Sequence, residues 1–158
     1  MSRLPSLGPR GEGWVIGQTI LLWAIVATGF LGPAWSVPVR VATSIAGLAL
    51  IAAGIALAIR GARDLREAFT PLPHPRDGAE LVVTGVYAHV RHPIYGGIIA
   101  AAIGWGLVIA SPVTIALAIV LAGFFDLKSR REEAWLVERF PGYPAYRDRT
   151  RRLIPWIG

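Results

Sequence analysis

The chain has 158 residues, 54% of them hydrophobic and only 16% charged, with a mean hydropathy of +0.52. Soluble domains carry about 25% charge, so an ordinary water-facing surface is excluded. The absence of cysteine excludes disulfides, thiolate nucleophiles and sulfur-based zinc sites.

Sixteen basic against ten acidic residues give a net charge of +6. The basic residues flank apolar stretches, where they match anionic headgroups rather than nucleic acid. Arg3 and Arg10 precede the first apolar run, but that run is long, lacks a small-x-small cleavage site and is followed by others, which argues against a cleaved signal.

About twenty residues cross the roughly 30 Å apolar layer, and four candidate spans follow in chain order: 14–31, 39–59, 94–110 and 113–127. The first ends at Gly32-Pro33, with Trp14 and Trp35 placed as interface anchors. The second starts after Pro38 and carries Gly47, Gly54 and other small residues that let neighbouring helices approach closely. Residues 61–70 extend it as a charged surface helix, until Pro71, Pro73 and Pro75 break it and Asp77-Gly78 turns the chain. Ser111-Pro112 divides the uncharged stretch 93–125 into two antiparallel spans. Residues 128–140 read as a separate helix ended by Pro141-Gly142, and the Tyr/Arg-rich tail completes a C-terminal segment, 128–158.

The fold class is therefore all-α: a polytopic integral membrane protein of about four transmembrane helices, forming one domain over 1–158. Fifteen of the sixteen positive charges fall on one side of this arrangement, Arg40 being the exception. The positive-inside rule then places both termini and the C-terminal segment in the cytoplasm, with a bacterial inner membrane as the location. Neither a metal nor a nucleic-acid partner is expected: His74, His89 and His92 lie on one connecting segment and make no helix-borne metal motif.

Chemistry can sit where the polar pieces meet the membrane. In Arg91-His92-Pro93-Ile94-Tyr95, Pro93 suits the first turn of a span, and a helix N-terminus favours anionic ligand groups. Interfacial placement explains Arg91 and His92 equally well. Glu132-Glu133 are adjacent on a helix, so one can face solvent while the other faces protein or ligand. Tyr87, Tyr95, Tyr143 and Tyr146 can line an amphipathic pocket or form an ordinary aromatic belt.

Gly85-Val86-Tyr87, Arg91-His92-Pro93-Ile94-Tyr95, Glu132-Glu133-Ala134-Trp135-Leu136, Phe140, Tyr143, Tyr146 and Leu153-Ile154-Pro155 together resemble the isoprenylcysteine carboxyl methyltransferase and phospholipid methyltransferase superfamily. The resemblance covers about residues 72–156 and departs at Pro141, where a glycine commonly follows the phenylalanine. It implies a membrane enzyme transferring a methyl group from S-adenosyl-L-methionine to a hydrophobic or lipid-like acceptor: an isoprenylcysteine carboxylate, an amine headgroup or another small hydrophobic molecule. It further implies cofactor-binding roles for His92, Pro93, Tyr95, Tyr87, Tyr143, Tyr146 and Glu133, catalytic roles for Glu132, Glu133 and Arg91, and a tail-holding role for Arg152. An NADPH-dependent membrane reductase and a non-catalytic membrane scaffold are the competing readings.

Overall fold

The computed structural model describes residues 4–31 and 35–153; Arg3, Gly32-Pro33, Ile154, Pro155 and Trp156, named above, lie outside them. The described residues form five α-helices and no strand: α1 (Glu12–Ala27), α2 (Val37–Leu65), α3 (Pro93–Val108), α4 (Pro112–Arg139) and α5 (Tyr143–Arg149). The fold is that of an all-α polytopic membrane protein. Two helical stretches, Val37–Ala68 and Pro112–Arg139, are long and apolar enough to cross a bilayer, and α1 and α3 are shorter apolar helices.

The helices form a row in the order α2, α3, α4, α1. Close approach of backbones fixes the first contact. Gly47, Gly54 and Gly61 recur every seventh residue along α2, and the first two face Gly104 and Gly97 of the antiparallel α3. A Cβ on Gly54 would lie 2.5 Å from the Gly97 carbonyl oxygen, and one on Gly47 would lie 2.6 Å from that of Gly104. Nothing larger than hydrogen is tolerated there, and this small-residue packing is how helices associate without a hydrophobic drive between them.

The turn between α3 and α4 uses the predicted break. Ala110 takes a left-handed conformation, Ser111 Oγ accepts the Thr114 amide at 3.3 Å, and Pro112 opens α4 without needing an amide donor. On the far side of α4 lies α1, antiparallel to it: Trp14 meets Phe124 at 5.3 Å, and the buried Thr28 and Thr114 hydroxyls hydrogen-bond at 2.6 Å. Ile25, Ile99, Ala102, Ala118, Leu121 and Phe125 form the core between these helices.

The outward faces are apolar. Trp23, Ile45 and Ile119 are 70%, 68% and 63% exposed, with Ile16, Ile20, Val41 and Leu48 beside them on the same helices. A monomer in water rarely carries contiguous apolar patches on this scale, whereas lipid covers them without cost.

Two boundaries differ from the sequence expectation. The charged extension of α2 stops at Leu65, because Arg66 adopts φ 50°, and only a short 3-10 turn, Arg66–Ala68, follows. Residues 128–140 are not a separate helix but the continuation of α4, which runs unbroken to Arg139. No proline interrupts it, and Lys, Arg and Glu propagate a helix well.

Candidate active site

At one end of the row, the start of α3, the last three turns of α4, α5 and the tail converge. His92 caps α3 and Pro93 is its first residue. The tail lies across this start: the Arg91 and His92 amides donate to the Arg151 and Arg152 carbonyls at 2.8 and 2.9 Å, and the Arg151 amide donates to His89 at 3.0 Å. A Cβ on Gly96 would run into the Leu153 carbonyl oxygen, so the glycine is what lets the tail lie flat on the helix.

Glu132 and Glu133 do different things. Lys128, Glu132, Leu136 and Phe140 recur at every fourth residue and line one cavity, as residues stacked on one helix face must. Glu132 Oε2 accepts the Tyr95 hydroxyl at 2.7 Å and lies 3.8 Å from His92 Nδ1. Glu133, a third of a turn round, does not line the cavity. Its Oε1 gathers Arg91 Nε at 2.9 Å, His92 Nε2 at 3.3 Å and Arg152 Nε at 3.4 Å. The Arg91 and Glu133 side chains are each only 7% exposed.

This cluster lies beyond the apolar part of α4. Burial alone would raise the Glu133 pKa, but hydrogen bonding and charge attraction from His92 and then Arg91 outweigh it and hold the carboxyl down to about 2. Arg91 also donates to the Arg147 carbonyl at 2.8 Å and to the Thr150 carbonyl, joining the start of α3 to the end of α5.

The cavity measures about 240 Å³. His92 and Tyr95 form one wall, their rings parallel at 5.3 Å, with Phe125 stacked behind Tyr95 at 4.6 Å. Tyr87, Tyr143 and Tyr146 form another wall. The Tyr146 hydroxyl donates to the Tyr87 carbonyl at 2.7 Å, whereas the Tyr143 hydroxyl is buried with no hydrogen-bond partner among the described residues. Burial pushes the Tyr146 phenol up to about 12 and raises those of Tyr87 and Tyr143 as well, so all three are neutral hydrogen-bonding groups near neutral pH. The proline-rich segment 69–82 roofs the space.

Of the residues singled out in the sequence, Arg91, His92, Tyr87, Tyr95, Glu132, Tyr143 and Tyr146 all line the cavity; Pro93 and Glu133 support it from behind. After Pro141, Gly142 caps α5, and Tyr143 and Tyr146 on that helix are both buried. Sequence reasoning passed over Lys128, fully buried in the cavity wall, and Gln18, which contacts it from α1. The signals were a lysine four residues before Glu132 and a polar residue inside an apolar span. Also unforeseen was the contact made by Asp64, whose carboxylate accepts the Val86 amide at 2.8 Å and so fixes the turn carrying Tyr87.

The family model for phospholipid methyltransferase matches residues 42–142. Among curated proteins, the protein-S-isoprenylcysteine O-methyltransferase of Schizosaccharomyces pombe is 39% identical over 79 residues, which are 49% of this chain and 34% of that protein. Its namesake in Saccharomyces cerevisiae is 40% identical over 79 residues, 49% of this chain and 33% of that protein. A probable protein-S-isoprenylcysteine O-methyltransferase of Oryza sativa subsp. indica is 33% identical over 86 residues, 53% and 45% of the two chains. The matches thus span between a third and a half of these relatives. Among solved structures, the eukaryotic intramembrane Ras methyltransferase, isoprenylcysteine carboxyl methyltransferase, superimposes with a TM-score of 0.73 at 27% identity, covering 88% of this chain and 52% of that one.

Proposed function

From the premise that the chain belongs to the phospholipid methyltransferase family, we propose that it is a membrane enzyme transferring a methyl group from S-adenosyl-L-methionine to a hydrophobic or lipid-like acceptor. The observation that carries this reading is the Tyr95–Glu132 hydrogen bond of 2.7 Å, which joins the R-H-P-x-Y and E-E motifs, 37 residues apart, in the wall of one cavity. The names of the relatives, protein-S-isoprenylcysteine O-methyltransferases, favour a prenylated cysteine carboxylate among the acceptors.

The residues fit such a donor. Glu132 is a carboxylate on the cavity surface suited to an ammonium group, and the buried Tyr143 hydroxyl still needs a polar partner. The tyrosine rings and the stacked Tyr95 offer flat apolar walls to a ring system. When bound, S-adenosylmethionine supplies a methyl carbon that the acceptor's lone pair attacks while the C–S electron pair passes to sulfur, so no protein nucleophile is needed. The protein's own work is orientation and exclusion of water, which is where most of the rate advantage of such a displacement lies. Glu133 orients rather than touches: from behind the wall it pins Arg91 and His92, which line the cavity. A carboxylate placed directly at the sulfonium would stabilise the reactant over the transition state, and Glu132 is instead assigned to the ammonium.

In this reading segments 14–31, 39–59, 94–110 and 113–127 are four membrane spans of a bacterial inner-membrane protein, the cavity end is cytoplasmic and both termini lie on that side. The distribution of basic residues supports that orientation. The test is transfer of labelled methyl from S-adenosylmethionine by the purified chain in nanodiscs, with N-acetyl-S-farnesylcysteine and a native lipid extract as acceptors. Methylation of either is expected. No transfer to either, together with oxidation of NADPH, would replace this reading with the reductase alternative.

A further inference from the structure

Lys128 is fully buried, yet among the described residues it has no carboxylate as a direct partner. Its ammonium donates to the Gln18 side-chain oxygen and, at 3.2 Å, to the Pro71 carbonyl, and it lies 5.0 Å from the centre of the Tyr95 ring. Both acceptors are neutral, and an ammonium has three protons to donate. The acid nearest along the helix, Glu132, accepts the Tyr95 hydroxyl and attracts Lys128 only through space. Burying a cation against neutral partners is expensive, and a strut between α1 and the roof would need only a neutral donor. What distinguishes lysine here is its charge, and Lys128 is among the residues that line the cavity.

Lys128 and Glu132 are one turn apart on the same face of α4, about 5.4 Å along its axis. The cavity therefore presents one anionic and one cationic group side by side. We propose that Lys128 holds the carboxylate of the methyl acceptor and makes the cavity select an acidic acceptor over an amine headgroup. This rests on the methyl-transfer reading and deepens it, since Glu132 is then left for the donor's ammonium.

The chemistry balances without a proton transfer. A carboxylate oxygen lone pair forms the O–CH₃ bond, the S–CH₃ bond breaks with its electron pair going to sulfur, and an anion and a sulfonium become a neutral ester and a neutral thioether. The oxygen loses charge on the way to the transition state, so its attraction to Lys128 is strongest in the bound acceptor. Loss of Lys128 therefore raises KM without lowering kcat.

The test uses the full chain in nanodiscs with N-acetyl-S-farnesylcysteine and its carboxamide, a neutral isostere, titrated in the presence of S-adenosylhomocysteine. A charge-assisted hydrogen bond predicts that the wild type prefers the acid by roughly ten- to hundredfold. K128Q should bring the two ligands to about the same affinity and raise KM for the acid by the same factor, with kcat not reduced. K128R should retain most of the preference. Thermal melting within a few degrees of wild type is the folding control; K128M, which keeps an unbranched side chain of similar length, serves if K128Q fails it. An acid preference that survives neutralisation of Lys128, a fall in kcat at constant KM, or methylation of phosphatidylethanolamine but not of the acid would each overturn the proposal. A wild type that does not bind the donor would instead defeat the methyl-transfer reading itself.

Discussion

Neighbouring glutamates with opposite duties give the sharpest prediction. Glu133→Gln keeps the shape of the side chain but removes the negative charge that Arg91, His92 and Arg152 share, of which His92 also has Glu132 and Arg152 also has Asp126 beside it. Arg91 has a 7% exposed side chain, so it cannot turn to water without opening the junction between α3 and the tail. Breaking a buried ion pair from one side costs about 3–5 kcal/mol. At roughly 2–4 °C per kcal/mol for a chain of this size, the melting temperature should fall by roughly 6–20 °C. Glu132→Gln is the contrast. Its side chain is 24% exposed, its amide oxygen can still accept the Tyr95 hydroxyl, and the cost is about 1 kcal/mol or less. What Glu132→Gln loses is a charge-assisted contact to the donor's ammonium, about 1.5–3 kcal/mol or roughly ten- to hundredfold in affinity. Thermal melting in detergent and calorimetric titration of S-adenosylmethionine measure both quantities on the same samples. Equal melting temperatures for the two variants, or a Glu133→Gln protein within 2 °C of wild type, would refute the division of labour.

Three further outcomes are expected. Tyr143→Phe should leave melting unchanged or raise it in the absence of donor, because the hydroxyl removed has no partner, while weakening donor binding in the calorimeter. Gly96→Ala should cost about 1–3 kcal/mol in thermal melting, since its methyl group displaces the Leu153 carbonyl and with it the tail; a neutral effect would show that the tail does not rest there. The Glu133 carboxyl is held near 2 against an ordinary value of 4.5. A depressed folded-state pKa gives stability that is complete above about 4.5 and is lost as pH falls toward 2, on the order of 3 kcal/mol. Between pH 7 and pH 3 the wild-type melting curve should therefore approach that of Glu133→Gln, whose own curve lacks this component.

The apolar segments, the break at Ser111-Pro112 and the pairing of the R-H-P-x-Y and E-E strings were all legible, because hydropathy, helix breakers and motif spacing are local properties. The extent of α4 was misjudged where polarity changes at Asp126: hydropathy falls there, but helix propensity does not. Which glutamate faces the cavity was within reach, since the i, i+4 series of Leu136 and Phe140 extended backward lands on Glu132 and Lys128 and skips Glu133. The packing of α1 on α4, the seat of Gln18 beside Lys128 and the lock between Asp64 and Val86 join residues as many as 110 positions apart. No local pattern encodes contacts of that kind.

The central claim is that the cavity beside Tyr95 and Glu132 holds a methyl donor. Calorimetric titration of the purified wild-type protein with S-adenosylmethionine, S-adenosylhomocysteine and NADPH tests it most directly. The account predicts saturable binding of the first two, weakened in Glu132→Gln, and none of NADPH; binding of NADPH alone, or of no ligand among the three, would contradict it.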